Sequence, residues 1–143
     1  MIDVSKRHFE RVYSIELDDD FYENAAARFE DFGHIAILHG DSGVVLPRLL
    51  EELDHPCLFW LDGHYSEGMT ARGSLDTPIV QEIRAILTHP VDKHVILIDD
   101  ARDFVGGNDY PSIDELRSEI HAHRPELVFT VEEDIIRVHP PAG

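Results

Sequence analysis

The chain has 143 residues, enough for one domain with a real core, and 43% hydrophobic with 29% charged residues is an ordinary globular composition. Twelve Lys and Arg against 29 Asp and Glu give a formal charge of -17, which argues against nucleic-acid backbones and anionic membranes as partners but welcomes a cation. The single cysteine, Cys57, excludes an intramolecular disulfide and suits a reducing, cytoplasmic setting; no apolar run approaches membrane-spanning length, and no signal-peptide core is visible.

In chain order, Arg11 to Leu17 (RVYSIEL) predicts a strand ending near Glu16. Asp18, Asp19 and Asp20 suit the start of the helix that follows, and Gly33 suits its C-terminal cap. His34 to His39 predicts a second strand, ending at Gly40-Asp41-Ser42-Gly43. Val44 to Leu53 reads as a helix with Pro47 inside its first turn. Cys57 to Leu61 is a third strand, running into Asp62, Gly63 and His64. After the loop SEGMTARGSLDTP, Pro78 opens a helix over IVQEIRAIL. Lys93 to Ile98 is a fourth strand, ending at Asp99-Asp100. The loop ARDFVGGNDYP leads to the helix SIDELRSEIHAHR, and two strands near LVFTV and DIIRV close the chain.

Strands alternating with helices imply an α/β, Rossmann-like, mostly parallel sheet with helices on both faces. The last two strands are too close for a crossover helix and should form an antiparallel hairpin. Ligands of such sheets bind beyond the carboxyl ends of the strands. Glu16, Asp41, Asp62, Asp99 and Asp100 all fall at such ends.

If the strands carrying Asp62 and Asp99 are neighbours, about 4.8 Å apart, three carboxylates converge. Like charges that close repel unless something neutralises them. All-oxygen ligands favour Mg²⁺ or Ca²⁺ over zinc, and the cation would lower the pKa of a bound hydroxyl and orient it. His64 is the candidate general base or a further ligand. The competing reading is structural: acids at strand ends cap helices and form turns. Asp18 to Asp20 fit a helix start, Phe59 and Trp60 fit a core, Cys57 fits a small buried hydrophobe, and His121 and His123 fit a solvated helix end. Gly40-Asp41-Ser42-Gly43 looks like a trypsin-type nucleophile motif, but its place after a strand in an alternating pattern argues against Ser42 as a nucleophile.

The ordered set VYSIELD, HGDSG, FWLDGHYS and VILIDDA resembles the class I S-adenosylmethionine-dependent methyltransferases, from about Arg11 onward. Within that family the acidic pattern is similar to the Mg²⁺-dependent O-methyltransferase and cephalosporin-hydroxylase-like branch. The resemblance implies that Glu16 holds the ribose hydroxyls, that Asp41 and Ser42 lie near the adenine, and that Asp62 touches both donor and metal. It implies Mg²⁺ held by Asp62, Asp99 and Asp100. It also implies an acceptor hydroxyl on a small molecule or sugar, with the two long loops shaping its pocket. The family's first strand and its glycine-rich loop have no counterpart before RVYSIEL. MIDVSKRHFE reads instead as the end of the helix that would follow them. The expectation is therefore one domain over residues 1–143, truncated at its N-terminus, that self-associates or rearranges its sheet. The alternative functions are a non-catalytic dimeric or ligand-sensing module that has lost donor binding, and a metal-dependent hydrolase.

Overall fold

The structure is a computed structural model describing residues 7–61, 78–106 and 110–142. It divides into two compact units, residues 1–49 and 50–143.

The first unit pairs β1 (Val12–Glu16) with β2 (Ile35–His39) in parallel, through α1 (Asp19–Arg28). The register sets Glu16 opposite His39, so both carboxyl ends finish at one level. Asp18 caps α1, its carboxylate accepting from the main chain of Asp20 and Phe21 at 2.9 and 3.1 Å. That is the structural role expected of the acidic triplet. The helix ends at Arg28, earlier than Gly33, because two tight turns, Phe32 N–H to Phe29 O and Ile35 N–H to Phe32 O, carry the chain into β2.

Gly40 leaves β2 with φ 145°, and a Cβ there would lie 2.8 Å from Cγ2 of Val45. Only glycine fits both the torsion and the space. Helix α2 (Ser42–Glu52) starts two residues before the sequence reading because Asp41 caps it. Its carboxylate accepts from Gly43 N–H at 2.9 Å, and its carbonyl accepts from Val44 and Val45 N–H. Pro47 consequently stands beyond the first turn, where it lacks the N–H that would otherwise donate to the Gly43 carbonyl four residues back.

The second unit holds a four-stranded sheet in the order β3-β4-β6-β5. Its strands are β3 (Leu58–Leu61), β4 (Val95–Ile98), β5 (Val128–Glu132) and β6 (Ile135–His139). Crossover through α3 (Pro78–Thr88) makes β3 and β4 parallel, and β6 is antiparallel to both β4 and β5. The α/β Rossmann-like arrangement with a C-terminal antiparallel hairpin is therefore present.

The core of this unit is aliphatic. Ile79, Ile83 and Ile86 recur along one face of α3, and Leu116 and Ile120 along one face of α4 (Ile113–His123). They are buried with Ile96 and Ile98 of β4 and with Ile136 and Val138 of β6, which alternate as one sheet face requires. Burying a side chain of this size is worth about 1.5–3 kcal/mol, so this layer holds the strand ends in place. Phe59 is buried and Trp60 half-buried, close to the core reading. Cys57 is half-buried rather than fully so. His121 and His123 are not simply solvated: each ring meets a main-chain carbonyl, that of Leu127 and Glu119 respectively.

Candidate active site

Parallel pairing through crossover helices brings polar residues to the carboxyl ends of strands in each unit. In the first unit Glu16 accepts a hydrogen bond from the Ser14 hydroxyl at 3.0 Å, and its carbonyl accepts from Gly40 N–H. Asp41 and Ser42 follow at the end of β2, with Asp41 occupied in capping α2. Two residues that the sequence did not single out join them. His39 Nε2 lies 2.7 Å from the Asp19 carboxylate, and its ring stacks on Tyr22 with centroids 4.7 Å apart. The signal was an alternating strand ending on a histidine beside an acid-rich helix start.

In the second unit β3 and β4 are indeed neighbours, with Leu61 in register with Ile98 and Asp99 N–H bonded to Leu61 O at 2.9 Å. Asp62, His64 and most of the loop SEGMTARGSLDTP lie outside the described residues. Asp99 and Asp100 leave β4 together; Asp100 N–H donates to the Asp99 carboxylate at 2.9 Å.

The third carboxylate described here is Asp134. Asp99, Asp100 and Asp134 each offer an oxygen, and those atoms lie within 4.8 Å of one another. The hairpin explains it. β6 runs antiparallel beside β4, so the turn before β6 falls at the carboxyl end of β4. Glu133 and Asp134 form that two-residue turn at φ 53° and 64°, the torsions of a type I′ hairpin. The sequence reading placed Asp134 inside the strand DIIRV, one residue too early.

Asp100 also has a positive φ, 57°, and with Glu133 and Asp134 completes the non-glycine residues in that region among those described. Such backbones each cost about 1–3 kcal/mol and collect where surrounding structure over-determines them. Here the over-determination is visible. Asp134 O accepts from Ala101 N–H at 2.9 Å, Asp134 Oδ1 accepts from Arg102 N–H at 2.9 Å, and the Arg102 guanidinium bonds Asp134 Oδ2 and, at 2.9 Å, Asp100 Oδ1. Three carboxylates and one guanidinium leave a formal charge of -2, which a divalent cation would match. The all-oxygen donor set also suits Mg²⁺ or Ca²⁺. The residues present therefore fit such an ion.

Beyond the cluster, Phe104 is buried and meets Tyr110 edge-on with centroids 5.2 Å apart, and Val105 bridges to Ser112. These contacts shape the described part of the second long loop; residues 107–109 lie outside the described residues.

No protein-family model and no curated protein matches the chain. Solved structures do. The SAH-bound methyltransferase PaMTH1 of Podospora anserina superposes with a TM-score of 0.56 at 12% identity, covering 92% of this chain and 61% of that one. The N-methyltransferase NodS of Bradyrhizobium japonicum superposes with a TM-score of 0.51 at 15% identity, covering 95% of this chain and 76% of that one. The chain shares its fold with these two proteins. The chain spans 61% of the length of PaMTH1, and its identity to both proteins is low. Among the described residues no helix is long and apolar enough to cross a membrane.

Proposed function

We propose that residues 1–143 act as one S-adenosylmethionine-dependent methyltransferase domain, with a small-molecule or sugar hydroxyl as acceptor and Mg²⁺ assisting. The observation that carries this is the convergence of Asp99, Asp100 and Asp134 at the carboxyl end of β4, in a fold shared with an SAH-bound methyltransferase. SAH is the demethylated donor, so the likeness favours donor binding, and in such sheets ligands bind beyond the carboxyl ends of the strands.

In this reading Glu16 receives the ribose hydroxyls, and Asp41 and Ser42 lie near the adenine. Leu17 and Val44, both exposed beside them in the chain, supply apolar surface for the base. Asp99 and Asp100 hold the cation with Asp62, and Asp134 adds a fourth carboxylate that the sequence did not suggest. A divalent ion there would lower the pKa of an acceptor hydroxyl. His64 takes the proton, and the two long loops shape the acceptor pocket. The chain's own contribution is then mainly alignment of donor and acceptor. The charge of -17 favours a small acceptor over a polyanion.

Thermal shift with S-adenosylmethionine and Mg²⁺, alone and together, tests the proposal. Both should raise the midpoint, and the pair more than either. No shift with the donor at saturation would favour the non-catalytic reading.

A further inference from the structure

The amino ends of β3 and β4, opposite the acidic cluster, hold two buried histidines in one hydrogen-bonded chain. Cys57 N–H, just before β3, donates to His94 Nδ1 at 3.0 Å. His94 Nε2 faces His89 Nδ1 at 2.9 Å, and His89 Nε2 meets the Leu50 carbonyl, in the last turn of α2, at 2.8 Å. Both rings are almost fully buried, at 6% and 7% exposure.

The ends of this chain fix its direction. Cys57 N–H can only donate and Leu50 O can only accept. His94 must therefore accept at Nδ1 and carry its proton on Nε2, and His89 must do the same. Every ring nitrogen is used once, and both rings are neutral. An added proton would set two N–H groups face to face, at Cys57–His94 or at His94–His89. The surroundings offer little relief. Arg124 Nε and Nη2 donate to the carbonyls of Leu87 and His89 at 3.0 and 2.9 Å, placing a cation beside the pair. The Phe59 ring meets His94 edge-on at 5.0 Å, and the Cys57 thiol, turned to the His55 carbonyl, offers the rings no charge. Among the described residues, Asp92 is the one acid acting on His94.

We propose that the Cys57–His94–His89–Leu50 chain is a proton-operated latch, which mild acid opens, releasing the last turn of α2 from the end of α3 and the start of β3 from that of β4. Burial first, then the positive charge that a protonated His89 would add and that of Arg124, hold His94 below its ordinary value, against the weaker pull of Asp92. The stability it contributes is therefore complete above the unfolded value of about 6.5 and is lost as pH falls toward and through the folded one.

Side-chain ¹⁵N NMR on the intact chain tests the latch. At pH 8 both rings should be Nε2–H tautomers. On acidification the Cys57 amide should shift in the same step as the His94 ring, and its hydrogen exchange should speed up. An Nδ1–H tautomer at either ring, or a titrating His94 with an unmoved Cys57 amide, would overturn the proposal. As a second measurement, the folding constant of the wild type should fall below pH 6.5 by up to about tenfold per pH unit for one such proton. His94→Gln should lack that component. An equal pH dependence in the two proteins would contradict the latch, and if the variant does not fold the NMR result decides.

Discussion

Arg102 grips Asp134 twice, by its main-chain N–H to Oδ1 and by its guanidinium to Oδ2, and so ties the β5–β6 turn to the residues that follow β4. The two bonds are not equal. The Arg102 side chain is 68% exposed, so the ion pair is worth little in water. The main-chain bond satisfies a donor at a strained corner, and Asp134 tolerates its positive φ better than most residues would. Asp134→Ala should therefore lose about 1–2 kcal/mol in urea unfolding, while Arg102→Ala should lose less than about 1 kcal/mol. Asp134→Asn, which keeps an acceptor and suits the torsion, should lie close to wild type.

The same cluster makes a separable prediction about cations. Isothermal titration with Mg²⁺ should give one site, and Asp99→Asn or Asp100→Asn should weaken it by at least about fivefold, because each removes a charged ligand. Asp134→Asn should weaken it too. Unchanged binding in both Asp99→Asn and Asp100→Asn would remove the metal from the account.

Gly40→Ala should destabilise the first unit. The new Cβ meets Val45 Cγ2 at 2.8 Å, and the φ of 145° is one that alanine rarely adopts. A loss of roughly 1–3 kcal/mol is expected. Gly33→Ala, with nothing within 4 Å of its Cβ, is the control and should cost little.

These contrasts mark what the sequence made legible. Alternating apolar strands and capped amphipathic helices were readable because burial imposes a period of two or 3.6, and every described strand and α-helix lies near its expected place, whereas the 3-10 turn Ala101–Asp103 falls in a segment read as loop. Boundaries moved where a side chain competed with propensity, as when Asp41 captured Gly43 N–H and drew the start of α2 forward. Whether β3 and β4 are neighbours was left open by the sequence, and the pairing of Leu61 with Ile98 answers it. Asp134 did not follow, because nothing in EEDIIRV says which residues turn. It needed the hairpin register and the position of β6 against β4. The His89–His94 chain was equally hidden, since its partners come from the last turn of α2 and from the residues just before β3 and β4, at separations of 5 to 39 residues.

Cys57 gives a pH prediction of its own. Burial pushes its thiol up from the ordinary value, and no cation is among the causes acting on it. The thiolate is the reactive form, so alkylation by iodoacetamide should be slower in the folded chain than in the urea-unfolded chain at pH 8. The folded rate should keep rising as pH climbs past the ordinary cysteine range. Equal rates at pH 8 would show an accessible, unperturbed thiol.

The central claim is donor binding along the carboxyl ends of the strands, and equilibrium dialysis with radiolabelled S-adenosylmethionine tests it most directly. The account predicts saturable binding at one site per chain, competed by SAH and weakened at least tenfold in Glu16→Ala. Binding that is absent at millimolar donor, or that is the same in wild type and Glu16→Ala, would contradict it.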